Sequence, residues 1–158
     1  MMIELDQVDR AILRILQTDG RVTNADLARQ VTLSPPAVHA RVRRLEEASV
    51  IQRYVALVDR EAIGYELLCL ISISMERHRR KDIELVRLAV QEMPEVLECH
   101  RLTGEFDYQL KVVVCNRKEL EQFVLDRLST IPGIAHIRTS LVFSEIKATT
   151  ALDVKHNP

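Results

Sequence analysis

Apolar positions in the first fifty residues recur at helical spacing, whereas from residue 66 onward stretches of strand-like alternation are interleaved with helical ones. From Asp6 to Asp19, Val8, Ile12, Ile15 and Leu16 fall on one stripe, with Arg10 and Arg14 off it. The pattern predicts an amphipathic helix with Asp6 as its N-cap and Gly20 as its stop. Thr23 opens a second helix: its hydroxyl can accept from backbone N–H groups near Asp26, and Asp26 suits the positive helix start. Ala25, Leu27, Ala28 and Val31 supply the apolar side. After a turn at Thr32 and Leu33, Ser34 caps a third helix running to about Ala48. Pro35 and Pro36 take its first two positions, where the backbone N–H has no intrahelical acceptor and a fixed φ suits the helix. The two prolines are therefore a rigid entry rather than a break.

Val50 to Val58, "VIQRYVALV", carries β-branched and aromatic residues in near-alternation and predicts a strand or small hairpin. Three short helices followed by a strand form the pattern of a winged helix-turn-helix. The second half reads as strand Leu67–Met75, helix Asp82–Met93, strands Val96–Leu102 and Tyr108–Cys115, helix Lys118–Ile131 and strand Ile134–Phe143. This βαββαβ order is the ferredoxin-like arrangement. A weak repeat supports it: "MPEVLE" from Met93 and "IPGIAH" from Ile131 each end a helix with proline and start a strand. The expected fold is α+β, with residues 1–59 as the winged helix-turn-helix, 60–65 with Gly64 as a linker, and 66–158 as the ferredoxin-like domain.

Composition narrows the function. The 158 residues are 47% hydrophobic and 28% charged, a globular profile, and the net charge of −1 means that any nucleic-acid binding must come from a local patch. No apolar run approaches a membrane span, so no membrane partner is expected, and "MMIELDQVDR" has acids where a signal peptide would have bases. Cys69, Cys99 and Cys115 lack metal or redox spacing and read as buried small hydrophobes of a reducing cytoplasm. His78, His100, His136 and His156 likewise show no ligand spacing, so no metal is expected.

The third helix carries the patch. At about 100° per residue, Val38, Val42 and Leu45 cluster on one side with Arg41 at its edge. Pro36, His39, Ala40, Arg43 and Arg44 lie around the other. Small residues let a helix approach a groove floor, and arginines can read guanine edges or pair with phosphates. The expected DNA-contacting set is Ser34, Pro35, Pro36 and Ala37 at the entry, then His39, Ala40, Arg41, Arg43 and Arg44. The alternative is an ordinary solvated face partly paired with Glu46 and Glu47.

A second candidate is the turn Thr103-Gly104-Glu105-Phe106-Asp107-Tyr108. Backbone N–H groups exposed by Gly104 could hold a carboxylate and Asp107 could meet an ammonium, the needs of an amino-acid zwitterion. A plain hairpin turn, with Asp107 bonded to its own backbone, is the other reading. The run "RHRRK" from Arg77 reads as a solvated loop, or as a secondary DNA contact if DNA wraps an oligomer.

Taken together, "DGR" from Asp19, "LSP" from Leu33, "RVRRLE" from Arg41, "TGEFDY" from Thr103 and "IPGIAHIRTSLVFSEIK" from Ile131 make the chain resemble the Lrp/AsnC, or feast/famine, regulators over nearly its whole length. One departure is Ser49, where the family usually has a glycine suited to a left-handed cap. The resemblance implies a cytoplasmic, nucleoid-associated transcription regulator that binds double-stranded DNA and is not an enzyme. It implies no cofactor beyond an amino-acid or related effector, and a C-terminal domain that dimerises and assembles further, to an octamer. It also places the effector at the Thr103–Tyr108 loop between dimers, with Thr139 and Ser140 as further candidates. Two rivals stand beside this reading: a nucleoid-organising protein of low sequence preference, and a sirohaem decarboxylase-like subunit, in which the TG-x-x-D-Y region is altered.

Overall fold

The computed structural model describes residues 3–154; Met1, Met2 and residues 155–158, His156 among them, lie outside the described residues. The chain forms two units, one holding the residues up to Leu57 together with the tail from Lys147, the other spanning Val58–Ile146.

In the first unit, α1 (Gln7–Thr18), α2 (Asn24–Val31) and α3 (Pro35–Glu47) pack around Ile12, Leu27, Val38 and Leu45. Asp6 caps α1 as expected, within a reciprocal box: its carboxylate accepts from the Asp9 N–H at 2.8 Å, and the Asp9 carboxylate accepts from the Asp6 N–H at 3.1 Å. Thr23 Oγ1 accepts from the Asp26 N–H at 3.1 Å, and Ser34 Oγ accepts from the Ala37 N–H at 3.4 Å. Pro35 and Pro36 stand at the first two positions of α3. Both helix ends that frame α3 use left-handed residues that are not glycine. Thr32 has φ 56° and ends α2; Ser49 has φ 56° just past α3. Around Ser49 the Val50 N–H donates to Leu45 O at 2.9 Å and the Ser49 N–H to Glu46 O at 2.9 Å, the bond pair of a Schellman cap.

Two features of this unit differ from the sequence reading. Val50–Val58 forms no strand among the described residues: no segment of the chain pairs with it, and Tyr54, Val55, Leu57 and Val58 are exposed. The tail, which chain order grouped with the second domain, runs with the first unit. There the Gln17 amide donates to Leu152 O at 3.0 Å and accepts from the Leu152 N–H at 2.6 Å, and Val154 packs on the helical core.

The second unit contains β1 (Leu67–Met75), α4 (Arg80–Gln91), β2 (Val96–Arg101), β3 (Tyr108–Val114), α5 (Arg117–Gln122) and β4 (Ile134–Leu141). Helix α5 continues as a π-helical stretch, Phe123–Leu128, in which Ser129 N–H reaches back five residues to Val124 O at 2.9 Å. The strands lie in the order β2-β3-β1-β4, with every neighbouring pair antiparallel. This is the ferredoxin-like order expected from the sequence. Period-two alternation puts Cys69, Ile71, Ile73 and Met75 of β1 and Tyr108, Leu110, Val112 and Val114 of β3 on one face. Val86, Val90, Phe123 and Leu128 cover that face. Cys69 is buried as expected, whereas Cys115 is half-buried and Cys99 exposed.

Candidate nucleic-acid interface and effector loop

Helix α3 turns Val38 and Leu45 into the helical core and leaves Ser34, Pro35, Pro36, His39, Ala40, Arg43 and Arg44 exposed, with Ala37 and Arg41 half-buried. His39 Nδ1 lies 3.2 Å from Asn24 Nδ2 on α2, so the imidazole is steadied by the preceding helix. Arg43 projects outward and pairs with Glu47 one turn on, at 2.7 Å, both side chains more than half exposed. Such a pair is easily exchanged for a stronger anion.

Arg41 and Arg44 reach from α3 toward the start of α1, Arg44 remaining half exposed as it does so. Arg41 donates to Asp6 at 2.6 Å and to Asp9 at 2.8 Å, and Arg44 pairs with the other oxygen of Asp9. Asp9 has no exposed surface. The Asp9 backbone amide, followed by Arg41, holds the Asp6 carboxyl down at about 2, and Asp6 in turn raises the Arg41 pKa. A helical wheel of α3 alone finds Arg41 at the apolar edge but cannot see this acid, 32 residues upstream of it in the chain. The signal that was available is the D-x-x-D spacing of Asp6 and Asp9, which marks a capping box.

The Thr103–Tyr108 loop joins β2 to β3. Thr103, Gly104 and Glu105 are exposed, Phe106 and Asp107 half-buried, and Tyr108 buried on the helix-covered face. Gly104 has φ 130°, a conformation that suits glycine. The loop is closed by the Leu102 N–H donating to Asp107 O at 2.8 Å, and the Asp107 N–H donates to Ile73 O on β1 at 2.8 Å. Both Asp107 carboxylate oxygens are engaged: one accepts from the Met75 N–H at 2.7 Å, and the other lies 2.6 Å from His78 Nε2. Burial pushes this carboxyl upward, but the Met75 amide, His78 and Arg101 together hold it below the ordinary aspartate value. His78 belongs to "RHRRK", whose residues are all exposed.

The two β4 candidates separate. Thr139 pairs with Ile71 and Ser140 with Leu70, so they sit on opposite faces of the sheet. Thr139 lines a hollow with Asn116, Leu120 and Val124. On the other face Arg138, opposite Ser72, stacks over the Phe106 ring at 4.7 Å from its centre. Arg138 and His78 are thus side chains in contact with the loop that the sequence reading did not select. No cluster of three metal-ligating side chains occurs among the described residues.

Known proteins match both units. Residues 5–46 match the AsnC-type helix-turn-helix domain, and residues 68–152 match the Lrp/AsnC ligand binding domain. The chain is 36% identical over 154 residues to the transcriptional regulator AzlB of Bacillus subtilis, covering 98% of each. It is 38% identical over 152 residues to the leucine-responsive regulatory protein of Escherichia coli, covering 96% of this chain and 93% of that one. Among solved structures, a transcriptional regulator of Neisseria meningitidis in complex with L-Met superposes with a TM-score of 0.91 at 38% identity, covering 94% of this chain and 96% of that one.

Proposed function

Because the chain belongs to the Lrp/AsnC family of transcriptional regulators, we propose that it binds operator DNA sequence-specifically through α3 and that an amino acid or related small molecule modulates that binding. The observation that carries the reading is the face of α3. Behind the Ser34-Pro35-Pro36 entry stand His39, Ala40 and Arg43, exposed, with small residues where the helix would approach a groove. Arg43 is the residue best placed to read a base. Arg44 and Arg41, held from the α1 side, are better suited to the phosphate backbone.

The effector reading rests on the Gly104–Asp107 loop and on the L-Met bound by the Neisseria relative. Loop amides would take the ligand carboxylate and Asp107 its ammonium, with Phe106 and Arg138 beside them. One short reading helix gives little discrimination, so the working form is at least a dimer that presents two such helices about one DNA turn apart, with an octamer as the larger assembly. The sheet face opposite the helices, where Leu70 is 36% exposed, is the surface offered for association in the second unit.

The test is a gel-shift titration of duplexes recovered from a random pool by the full chain, repeated with each of the twenty amino acids. Preference for recovered duplexes, altered by one amino acid or a few, supports the reading. Uniform binding of all duplexes would indicate a nucleoid-organising role instead.

A further inference from the structure

Among the described residues of the first unit Asp9 is the one fully buried carboxylate, and two arginines of α3 converge on it. Oδ1 accepts from Arg41 at 2.8 Å; Oδ2 accepts from Arg44 and from the Asp6 N–H at 3.1 Å. Asp6 adds a second acceptor for Arg41 at 2.6 Å. The outcome differs for the two arginines. The Arg41 side chain is 30% exposed and held by two acids, whereas Arg44 is 48% exposed and held by one. A guanidinium has five N–H donors in a planar fork, so Arg44 can be gripped at its inner edge while its outer edge faces solvent.

We propose that Asp9 is a positioning residue for DNA binding: its buried carboxylate fixes Arg44 so that the outer N–H groups of the guanidinium meet a DNA phosphate. The proposal rests on the reading of α3 as the DNA-facing helix. Its physical content is preorganisation. A long side chain ordered on folding loses less freedom when DNA arrives, and a planar fork held at one edge matches a phosphate with the other. Burial of an ion pair is by itself weak evidence of a stabilising role, and the capping box accounts for only one of the three bonds that the Asp9 carboxylate accepts.

The sign of the effect separates this account from plain electrostatics. An acid beside a DNA-binding surface repels phosphates, so neutralising it should tighten binding if it acts only as a charge. If it acts by holding Arg44, neutralising it should weaken binding.

The experiment titrates the full chain against a labelled duplex recovered from a random pool, over a range of salt concentrations, with thermal unfolding measured in parallel. Asp9→Asn is expected to weaken binding by about tenfold and to lower the salt slope by about 1, the loss of one phosphate contact. In an Arg44→Gln background Asp9→Asn should add less than about twofold, because the two act as one unit. Arg44→Lys, which keeps the charge but not the fork, should weaken binding as Asp9→Asn does. Unchanged or tighter binding by folded Asp9→Asn overturns the proposal, and so does an equal loss in the Arg44→Gln background, which marks a purely structural acid. If Asp9→Asn does not fold, Arg44→Lys decides: wild-type affinity overturns the proposal. Arg43→Ala keeps the two readings apart. If it weakens binding while Asp9→Asn and Arg44→Gln do not, only the positioning role fails; if none of the three matters, α3 does not face DNA.

Discussion

The His78 imidazole lies 2.6 Å from the Asp107 carboxylate, so the acid proposed to meet a ligand ammonium already has a partner within its own chain. With the Met75 N–H on the other oxygen at 2.7 Å, each carboxylate oxygen already carries one donor, so an ammonium must share an oxygen with one of the two or displace it, and the exposed imidazole is the easier to move.

The first prediction follows from that competition. His78→Ala should tighten binding of the active amino acid by about 3–10-fold, the net worth of one ordinary hydrogen bond at a solvent-exposed position. Asp107→Ala should abolish the amino acid's effect on DNA binding while leaving ligand-free DNA affinity nearly intact. Calorimetric titration of the ligand and DNA titration with and without it give the two readouts. A full ligand response in Asp107→Ala places the ligand elsewhere.

Ser49 provides the second. It holds φ 56° in a Schellman cap, where an L-residue costs roughly 1–2 kcal/mol and glycine does not. Glycine gives back about 0.5–1 kcal/mol through the freer unfolded chain. Ser49→Gly should therefore stabilise the first unit by about 0.5–1 kcal/mol and raise its melting midpoint by a few degrees. An unchanged or lowered midpoint, read by differential scanning calorimetry, contradicts the cap geometry.

Acid should loosen the α1 start in a defined window. The Asp6 carboxyl falls from 3.8 to about 2 on folding, so its contribution is complete above about pH 4 and is lost as pH falls through 2. Chemical denaturation between pH 5 and pH 2 should show a shallower loss of stability in Asp6→Asn than in the wild type. Identical slopes would mean that the carboxylate gains nothing from the Asp9 amide and Arg41.

What the sequence made legible follows the range of each interaction. Ser34, Pro35 and Pro36 act within one helical turn, and their roles as cap and entry were readable in full. The alternation of "LLCLISISM" and the two helix-ending prolines fixed the sheet order, because a split βαβ leaves few ways to pair four strands. The partners of Arg41 and Arg44 were not readable, since Asp9 comes from a different helix and its burial depends on how α1 crosses α3. His78 was read only as part of a basic run; its approach to Asp107 depends on where the β1 to α4 connection meets the loop. Val50–Val58 has strand composition, but a strand needs an edge to pair with, and the described chain offers none there. The opposed faces of Thr139 and Ser140 follow from period-two alternation alone and could have been foreseen.

The most direct test of the central claim is a competition titration at physiological salt between a duplex recovered by the full chain and its scrambled counterpart, for wild type and Arg43→Ala. The wild type should prefer the recovered duplex by about a thousandfold or more. Arg43→Ala should lose about 1–3 kcal/mol on the recovered duplex, with preference relaxed at one base position. Equal affinity of the wild type for both duplexes, or an Arg43→Ala chain that binds the recovered duplex as the wild type does, would contradict sequence reading by α3.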